Sequence, residues 1–303
     1  MTGPIRISDE VAEALAGKRP VVALETSVLA HGLPVPQNHE AAGAMAGAIR
    51  GTGAVPAWIA VDAGQVRVGV ADADLARLAV PGGSAKVARR DLPMVVASGG
   101  LGATTVSAAV WAAHRVGIDV LATGGIGGVH HGSGDVSADL LELAATPALV
   151  VCSGPKSIVD PEATMERLEE LGVSVVGYRT GRLPFFVAEH ADVALEHRVD
   201  TPVAAAAVVL ALRRLDVGSS IVLCNPVPDG VALDSDVVAD AVRACEEAAV
   251  SRGIRGKDVT PFLLSCLAER TGGQSLRANL ALLERNAGLA AEVASALASA
   301  ARS

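Results

Sequence analysis

The sequence predicts an α/β fold in which helices cover both faces of a mixed, largely parallel sheet. Short apolar runs alternate with helical patterns along most of the 303 residues, which is typical of stacked βα units. Half of the residues are hydrophobic, enough for a chain of this length to bury a large core. No long Pro- or Ser-rich linker and no internal repeat divides the sequence, so we expect a single domain over residues 1–303.

The predicted elements follow one another as strands separated by helices. A short Asp-Ala-Gly turn separates residues 57–61 from 65–70, which predicts a hairpin and therefore a mixed sheet. From Pro261 onward the pattern is helical, with an apolar stripe at Leu276, Leu280, Leu283, Leu289 and Val293 that covers the core or a subunit contact. The predicted strands are residues 20–25, 57–61, 93–97, 118–122, 148–152, 173–177 and 220–224.

Composition and charge favour a small ligand over a polymer. The net charge is −8, no basic block occurs, and the only aromatic residues are two Trp, one Tyr and three Phe, which argues against a nucleic-acid partner. The apolar runs are too short for a bilayer and residues 1–20 lack a signal-peptide core, so we expect a cytoplasmic protein with no membrane partner. The spacing of Cys152, Cys224, Cys245 and Cys266 favours buried thiols over a disulfide framework or zinc site.

Lysine is scarce among the cationic residues. Of the 25 lysines and arginines, only Lys18, Lys86, Lys156 and Lys257 are lysines. Arginine stays protonated, whereas a desolvated lysine can become a neutral nucleophile near pH 7. Lys86 and Lys156 lie next to apolar stretches and are therefore candidates for chemistry, although a surface position is the alternative for both.

Polar groups follow several predicted strands, at the edge of the sheet where ligands bind in open α/β folds. The first strand ends at Glu25, which is a candidate general acid with a raised pKa; the alternative is a helix cap or a solvated strand end. The fifth is followed by Ser153-Gly-Pro-Lys156, which directs this lysine towards the crevice, as in Schiff-base enzymes. Lys86 is then available to hold a phosphate.

Two further segments suggest ligand contacts. A glycine-rich loop runs from Thr123 to Gly134, and its backbone could approach a phosphate closely, with Thr123 and His130 contacting the substrate. A tight strand-to-helix turn is the alternative for the loop. For His130 and His131 the alternative is that they are plain loop residues, and for Asp135 and Asp139 it is helix capping. Asn279 could recognise an amide-like base edge or simply cap a helix.

Taken together, these segments resemble the pseudouridine-5′-phosphate glycosidases, also called indigoidine synthase A-like proteins. The longest matching stretches are ALETSVLAHGLPVPQNH at residues 23–39 and TGGQSLRANLALL at 271–283, and VCSGPKSI at 151–158 contains the lysine. The match covers nearly the whole chain. Further matching stretches are residues 53–62, 86–92, 102–109, 122–130, 136–140, 177–178, 225–228 and 256–264.

The resemblance implies a reaction and a set of roles. The family is known for the reversible cleavage of pseudouridine 5′-phosphate to uracil and ribose 5-phosphate, a lyase reaction assisted by a divalent ion, usually Mn²⁺. It implies an α/β/α sandwich and a homotrimer. The implied roles are covalent catalysis for Lys156, proton donation for Glu25, substrate binding for Lys86, Val106, Ser137, Ala138 and Asp139, metal binding for Asp135 and uracil recognition for Asn279.

The chemistry of this bond explains the need for a lysine. In pseudouridine the leaving atom is carbon, so a mechanism with two carboxylates gives the electrons no easy exit. If a lysine captures C1′ and Glu25 protonates the ring oxygen, the opened ribose becomes an imine-linked adduct. Uracil can leave from this adduct after protonation at C5. Two alternatives stay open: another Schiff-base lyase acting on a sugar phosphate, and a non-catalytic nucleotide-binding module in which Glu25 and Lys156 form a buried ion pair.

Overall fold

A computed structural model describes residues 3–132 and 134–300. One 11-stranded sheet runs through this part of the chain in the order β1-β4-β3-β2-β7-β8-β11-β9-β10, with β6 paired to β3 and β5 paired to β6. The strands are β1 Ile5–Ile7, β2 Val21–Glu25, β3 Val55–Asp62, β4 Gln65–Val68, β5 Ala85–Val87, β6 Gly102–Thr104, β7 Val120–Ala122, β8 Leu149–Cys152, β9 Ser174–Tyr178, β10 His197–Val199 and β11 Ile221–Cys224.

The sheet is mixed and mostly parallel, as the sequence predicts. The pairs β3–β4 and β3–β6 are antiparallel, and the other ladders are parallel. The hairpin predicted from the Asp-Ala-Gly turn is confirmed, because Asp62 pairs with Gln65 across it. Since the central strands are parallel, their carboxyl ends lie at one edge of the sheet.

Helices cover both faces of the sheet, which confirms the α/β/α sandwich. Along β2, Val22 and Leu24 pack into one apolar cluster, whereas Val21 and Ala23 pack into the other, as expected when alternate side chains point to opposite faces. The helices are α1 Asp9–Ala16, α2 Gln37–Gly51, α3 Asp72–Leu78, α4 Leu92–Ser98, α5 Val106–Arg115, α6 Ala138–Ala145, α7 Pro161–Glu170, α8 Pro202–Arg214, α9 Ser235–Ser251, α10 Val259–Arg270 and α11 Gln274–Ala300.

The long C-terminal helix α11 contributes to the core, as the apolar stripe predicts. Leu283, Leu289 and Val293 are buried, and Leu276 and Leu280 pack against the same cluster while partly exposed. None of the helices within the described ranges is both long and apolar enough to cross a bilayer.

The strand predicted at residues 93–97 is wrong, because this segment lies in helix α4. Pro93 occupies the first turn of the helix, where its missing N–H breaks no hydrogen bond. Gly99 ends the helix with φ 66°, the left-handed geometry typical of a helix C-terminus. The valines of this short run favour a strand only when these two flanking signals are ignored.

The expectation of four buried thiols is confirmed for Cys152 and Cys224 and wrong for the other two cysteines. Cys152 and Cys224 are buried and free. Cys245 and Cys266, which are 21 residues apart, form a disulfide that joins α9 to α10. This pairing depends on the packing of two helices, which the cysteine spacing does not reveal.

Candidate active site

The carboxyl ends of β2, β7 and β8 open into a cavity of about 910 Å³. Every side chain that the sequence assigns to catalysis, substrate binding or metal binding lines it, so the fold brings together segments that are far apart in the sequence. These residues are Glu25, Lys86, Val106, Thr123, His130, Asp135, Ser137, Ala138, Asp139, Lys156 and Asn279.

Glu25 is the last residue of β2, and its side chain is held in the cavity wall. It is only 5% exposed. One carboxylate oxygen accepts a hydrogen bond from Val28 N at 2.9 Å, and the other accepts one from Thr123 Oγ1 at 3.2 Å. Burial raises the pKa of Glu25, against the opposing effect of the Lys156 charge and the Val28 hydrogen bond. This direction agrees with the role predicted for Glu25, because a carboxyl group that keeps its proton nearer neutral pH is suited to act as an acid.

Lys156 follows β8 after a tight turn. Gly154 has φ 77°, and a Cβ there would collide with the carbonyl oxygen of Pro184, so this turn requires glycine. The half-buried Lys156 donates from Nζ to the carbonyl oxygen of Gly125 at 2.6 Å. The turn and this bond direct the amine into the cavity beside the loop that follows β7.

The loop after β7 approaches Lys156 closely because it contains glycine. A Cβ on Gly125 would lie 2.8 Å from the ring of Phe186, which is too close for a real side chain, and 3.1 Å from the carbonyl oxygen of Gly154, which is tighter than most Cβ contacts. Thr123, at the start of the loop, is buried, and its hydroxyl donates a hydrogen bond to Glu25. Two residues further on, the Gly125 carbonyl oxygen accepts from Lys156. The same short loop therefore contacts both the carboxyl group and the amine.

Lys86 lies on β5 and is mostly buried. Burial lowers the pKa of Lys86, and the positive charge of Lys156 lowers it further, while Asp139 and Glu25 raise it. The two lysines that the sequence singles out are thus close enough to interact electrostatically across one cavity. Lys86 is positioned to contact an anion in the same space that Lys156 enters.

Asp139 is a buried anchor in the cavity wall. Its two carboxylate oxygens accept hydrogen bonds from Ser107 N and Gly127 N, each at 3.0 Å. The N-cap of α6 is Ser137, which accepts from Asp139 N at 3.2 Å, and not one of the two aspartates to which the sequence assigned capping as an alternative. These bonds join the glycine-rich loop to the start of α5, where Val106 lies, and hold both against the ligand space.

His130 and Asp135 lie nearer to solvent. His130 N donates to the Asp135 carbonyl oxygen at 2.9 Å. Burial lowers the pKa of His130, and the nearby Asp135 charge partly opposes this. The Asp135 side chain is exposed. Residue 133, within the same loop, lies outside the described residues.

Asn279 lies in the second turn of α11 and is 7% exposed. Its buried Oδ1 has no hydrogen-bond partner in the described protein. Because a buried acceptor without a partner is costly, this atom is a candidate to accept a bond from a ligand. The helical position predicted for Asn279 is confirmed.

Sequence reasoning missed a buried polar network behind the cavity wall. Asn286 on α11 donates from Nδ2 to the Thr123 carbonyl oxygen at 2.9 Å and to Ser153 Oγ at 3.1 Å. Its Oδ1 accepts from Asn225 Nδ2 at 3.0 Å. The network ties together the residues that follow β7, β8 and β11. Two signals in the sequence could have revealed this network. Asn286 lies on the apolar face of a predicted helix, and Asn225 begins the stretch 225–228 that matches the family.

The comparisons with known proteins agree with the resemblance. The sequence model of the family described as Indigoidine synthase A like protein matches residues 10–296. A pseudouridine-5′-phosphate glycosidase from Methylobacterium nodulans is 48% identical over 291 residues, 95% of this chain and 86% of the relative. Another from Herpetosiphon aurantiacus is 49% identical over 294 residues, 96% of this chain and 97% of the relative.

Solved structures share the fold at full length. The prealnumycin C-glycosynthase AlnA, solved in complex with ribulose 5-phosphate, has a TM-score of 0.91 and 38% identity, and the match covers 100% of this chain and 99% of that one. An indigoidine synthase A-like protein from Thermotoga maritima has a TM-score of 0.90 and 35% identity, with 98% of each chain covered.

Proposed function

The chain belongs to the indigoidine synthase A-like family, and from this premise we propose that it is a pseudouridine-5′-phosphate glycosidase, an enzyme of the lyase class. It cleaves the C–C bond between uracil and ribose 5-phosphate reversibly. The observation that carries the proposal is the placement of Glu25 and Lys156 in one cavity. Glu25 ends β2 and Lys156 follows β8, and these strands are separated in the sheet by β7 alone. Relatives that match nearly full length carry this name.

In the proposed reaction, Glu25 begins as the acid and Lys156 as the nucleophile. The carboxyl proton of Glu25 goes to the ribose ring oxygen while the neutral Lys156 amine attacks C1′. The C1′–O bond breaks, its electron pair stays on the oxygen as a hydroxyl, and the opened sugar is linked to Lys156. The raised pKa of Glu25 supports the first role, because the carboxyl keeps its proton at higher pH.

The second stage breaks the C–C bond. The Glu25 carboxylate takes the proton from the alkylated Lys156 nitrogen and delivers it to C5 of uracil. The freed nitrogen lone pair then forms the C1′=N bond while the electrons of the C1′–C5 bond pass to uracil. Water then adds to the imine and releases ribose 5-phosphate as an aldehyde. The amine of Lys156 is regenerated.

The surrounding backbone orients these groups. The Gly125 carbonyl oxygen accepts from Lys156 Nζ, which directs the lone pair of the neutral amine away from that oxygen. Val28 N and Thr123 Oγ1 hold the Glu25 carboxyl. Groups held in place in this way lose little orientational entropy at the moment of reaction.

The remaining side chains bind the two ends of the substrate. The unpartnered Oδ1 of Asn279 suits an N–H group of uracil. Lys86 supplies the positive charge that binds the phosphate. Further contacts with the substrate come from Val106, Thr123, His130 and residues 137–139. The complex of the AlnA neighbour with ribulose 5-phosphate supports a sugar phosphate in the same space.

We also assign a Mn²⁺ ion to Asp135. No group of three or more His, Cys, Asp or Glu side chains able to hold a metal is found in residues 3–132 and 134–300. One exposed carboxylate is compatible with a weak, exchangeable ion that takes most of its ligands from water and the substrate phosphate. When bound, the ion would supply positive charge near the phosphate.

Assembly and location complete the proposal. The chain is expected to form a homotrimer in the cytoplasm. Leu141 is 68% exposed at the mouth of the cavity, a position that a second subunit would cover favourably. Sedimentation equilibrium of the purified protein tests the trimer, and a monomer at all concentrations would contradict it.

Product analysis tests the function directly. The enzyme is incubated with pseudouridine 5′-phosphate and Mn²⁺, and uracil and ribose 5-phosphate are quantified by chromatography. Uridine 5′-phosphate, which carries an N-glycosidic bond, is the control substrate and is expected to stay intact. A sugar-phosphate lyase of different specificity would release no uracil, and a non-catalytic module would release neither product.

A further inference from the structure

Two buried acceptor atoms on the cavity wall have no hydrogen-bond partner among the described residues. They are His31 Nε2 and Asn279 Oδ1. Both residues also line a neighbouring cavity of about 370 Å³, so they lie where the two cavities meet. The other buried side-chain atoms without a partner in this part of the chain are the donor Trp58 Nε1 and the acceptor Asn225 Oδ1. Neither residue lines these cavities.

The tautomer of the neutral His31 ring is assigned from its surroundings. The Ala85 backbone raises the pKa of the ring, as an acceptor does, and Ala85 N already donates to the Leu101 carbonyl oxygen. Since Nε2 has no partner, we assign the ring hydrogen to Nδ1, facing the Ala85 carbonyl oxygen, and the lone pair to Nε2.

The charge state agrees with this tautomer. Burial lowers the pKa of His31, and the nearby positive charge of Lys86 lowers it further, while the Ala85 hydrogen bond acts in the opposite direction. A neutral imidazole offers one acceptor nitrogen, whereas a protonated one offers none. Near neutral pH, Nε2 is therefore an acceptor of the same kind as Asn279 Oδ1.

His31 is also tied to the acid. It lies in the π-helix Val28–Gly32, directly after β2, and the first residue of this helix donates its N–H to Glu25. Asn279 comes from α11 on a different part of the fold. The two acceptors therefore reach the cavity from separate elements.

We infer that His31 Nε2 and Asn279 Oδ1 together accept the two ring N–H groups of the base, so that the site selects C-linked bases with two such donors. The inference rests on the proposed function. Attachment through C5 leaves both N1–H and N3–H of uracil free, whereas an N1-linked uracil has only one ring N–H. The pair would then distinguish pseudouridine 5′-phosphate from uridine 5′-phosphate by donor count.

The test compares kcat/KM for pseudouridine 5′-phosphate and its N1-methyl and N3-methyl derivatives. The wild type is expected to disfavour each derivative by about 10- to 100-fold, because each methyl group removes one donor and leaves a buried acceptor unpaired. His31→Leu should abolish the discrimination at one nitrogen and Asn279→Leu at the other. His31→Gln, which keeps an acceptor, should restore part of it, and the exposed His114→Leu should match the wild type.

The outcomes separate this inference from the function on which it rests. If the wild type releases no uracil from any substrate, both are overturned. If it releases uracil while His31→Leu keeps both discrimination ratios, the role of His31 is overturned and the function stands. Should His31→Leu not fold, competition with the wild type decides: equal inhibition by uracil, 1-methyluracil and 3-methyluracil overturns the inference, and weaker inhibition by both methyluracils supports it.

Discussion

The inner wall of the cavity, formed by Glu25, Thr123 and Lys156, differs from its outer rim, formed by Asp135, Val136 and Leu141. The wall residues lie at or just after the carboxyl ends of central strands. They are held by hydrogen bonds to each other and to the backbone. The rim residues are all exposed. Chemistry that depends on orientation is therefore placed where the sheet restrains it, whereas the rim can change without disturbing the core. Substitutions in the wall should affect the bond-breaking steps, and those towards the rim should affect binding.

The largest effect is expected for Lys156→Arg. Arginine keeps the charge but cannot form an imine, so cleavage should fall on the order of 10⁴-fold or more while the protein stays folded. The wild type incubated with ribose 5-phosphate and borohydride should gain mass at Lys156 by peptide analysis. The exposed Lys18→Arg is the matched control and should retain activity. An active Lys156→Arg enzyme, or labelling confined to Lys18 or Lys257, contradicts the proposed mechanism.

Glu25→Gln is expected to be the next most severe change. The amide keeps the shape of the side chain but has no proton to transfer, so kcat should fall by about 10²- to 10⁴-fold with ligand binding retained. Steady-state kinetics combined with calorimetric titration of ribose 5-phosphate separates the two effects. Near-normal turnover would show that another group is the acid.

Lys86 lines the same cavity, and Lys86→Ala tests whether its charge serves substrate binding or the bond-breaking steps. If its charge holds the phosphate, the preference for pseudouridine 5′-phosphate over free pseudouridine should fall by about 10-fold or more. The measurement is the ratio of the two kcat/KM values. If kcat/KM falls equally for both substrates, the ratio stays unchanged. That result would assign Lys86 to the bond-breaking steps instead of phosphate binding.

The smallest effect is expected at the rim. Chelation should suppress activity and Mn²⁺ should restore it, and Asp135→Asn should raise the Mn²⁺ concentration for half-maximal activity by about 10-fold. Turnover at saturating Mn²⁺ should stay close to that of the wild type. Asp229→Asn, in an exposed loop, is the control. Full activity of thoroughly metal-stripped enzyme would remove the ion from the proposal.

The central part of the fold could be predicted because long apolar strands carry a clear pattern. Strands β2, β3, β7, β8, β9 and β11 overlap predicted runs, and so does the hairpin to β4. Strands β1, β5, β6 and β10 have three residues each, too few for a clear pattern. Strand β7 is equally short, but it lies within the longer predicted run 118–122. The pairing of β1, β5, β6 and β10 comes from neighbours that are distant in the sequence.

Apolar periodicity, scarce lysines and long motifs are local properties of the chain, so the fold class, the family and the side chains that line the cavity could be predicted from the sequence. How these side chains are held and charged depends on the packed molecule. The burial that raises the pKa of Glu25, the Gly125 carbonyl that orients Lys156, the disulfide between Cys245 and Cys266, and the bare acceptors of His31 and Asn279 all depend on atoms from separate elements. Burial and hydrogen bonding are properties of the packed molecule, and no residue has them before the chain folds.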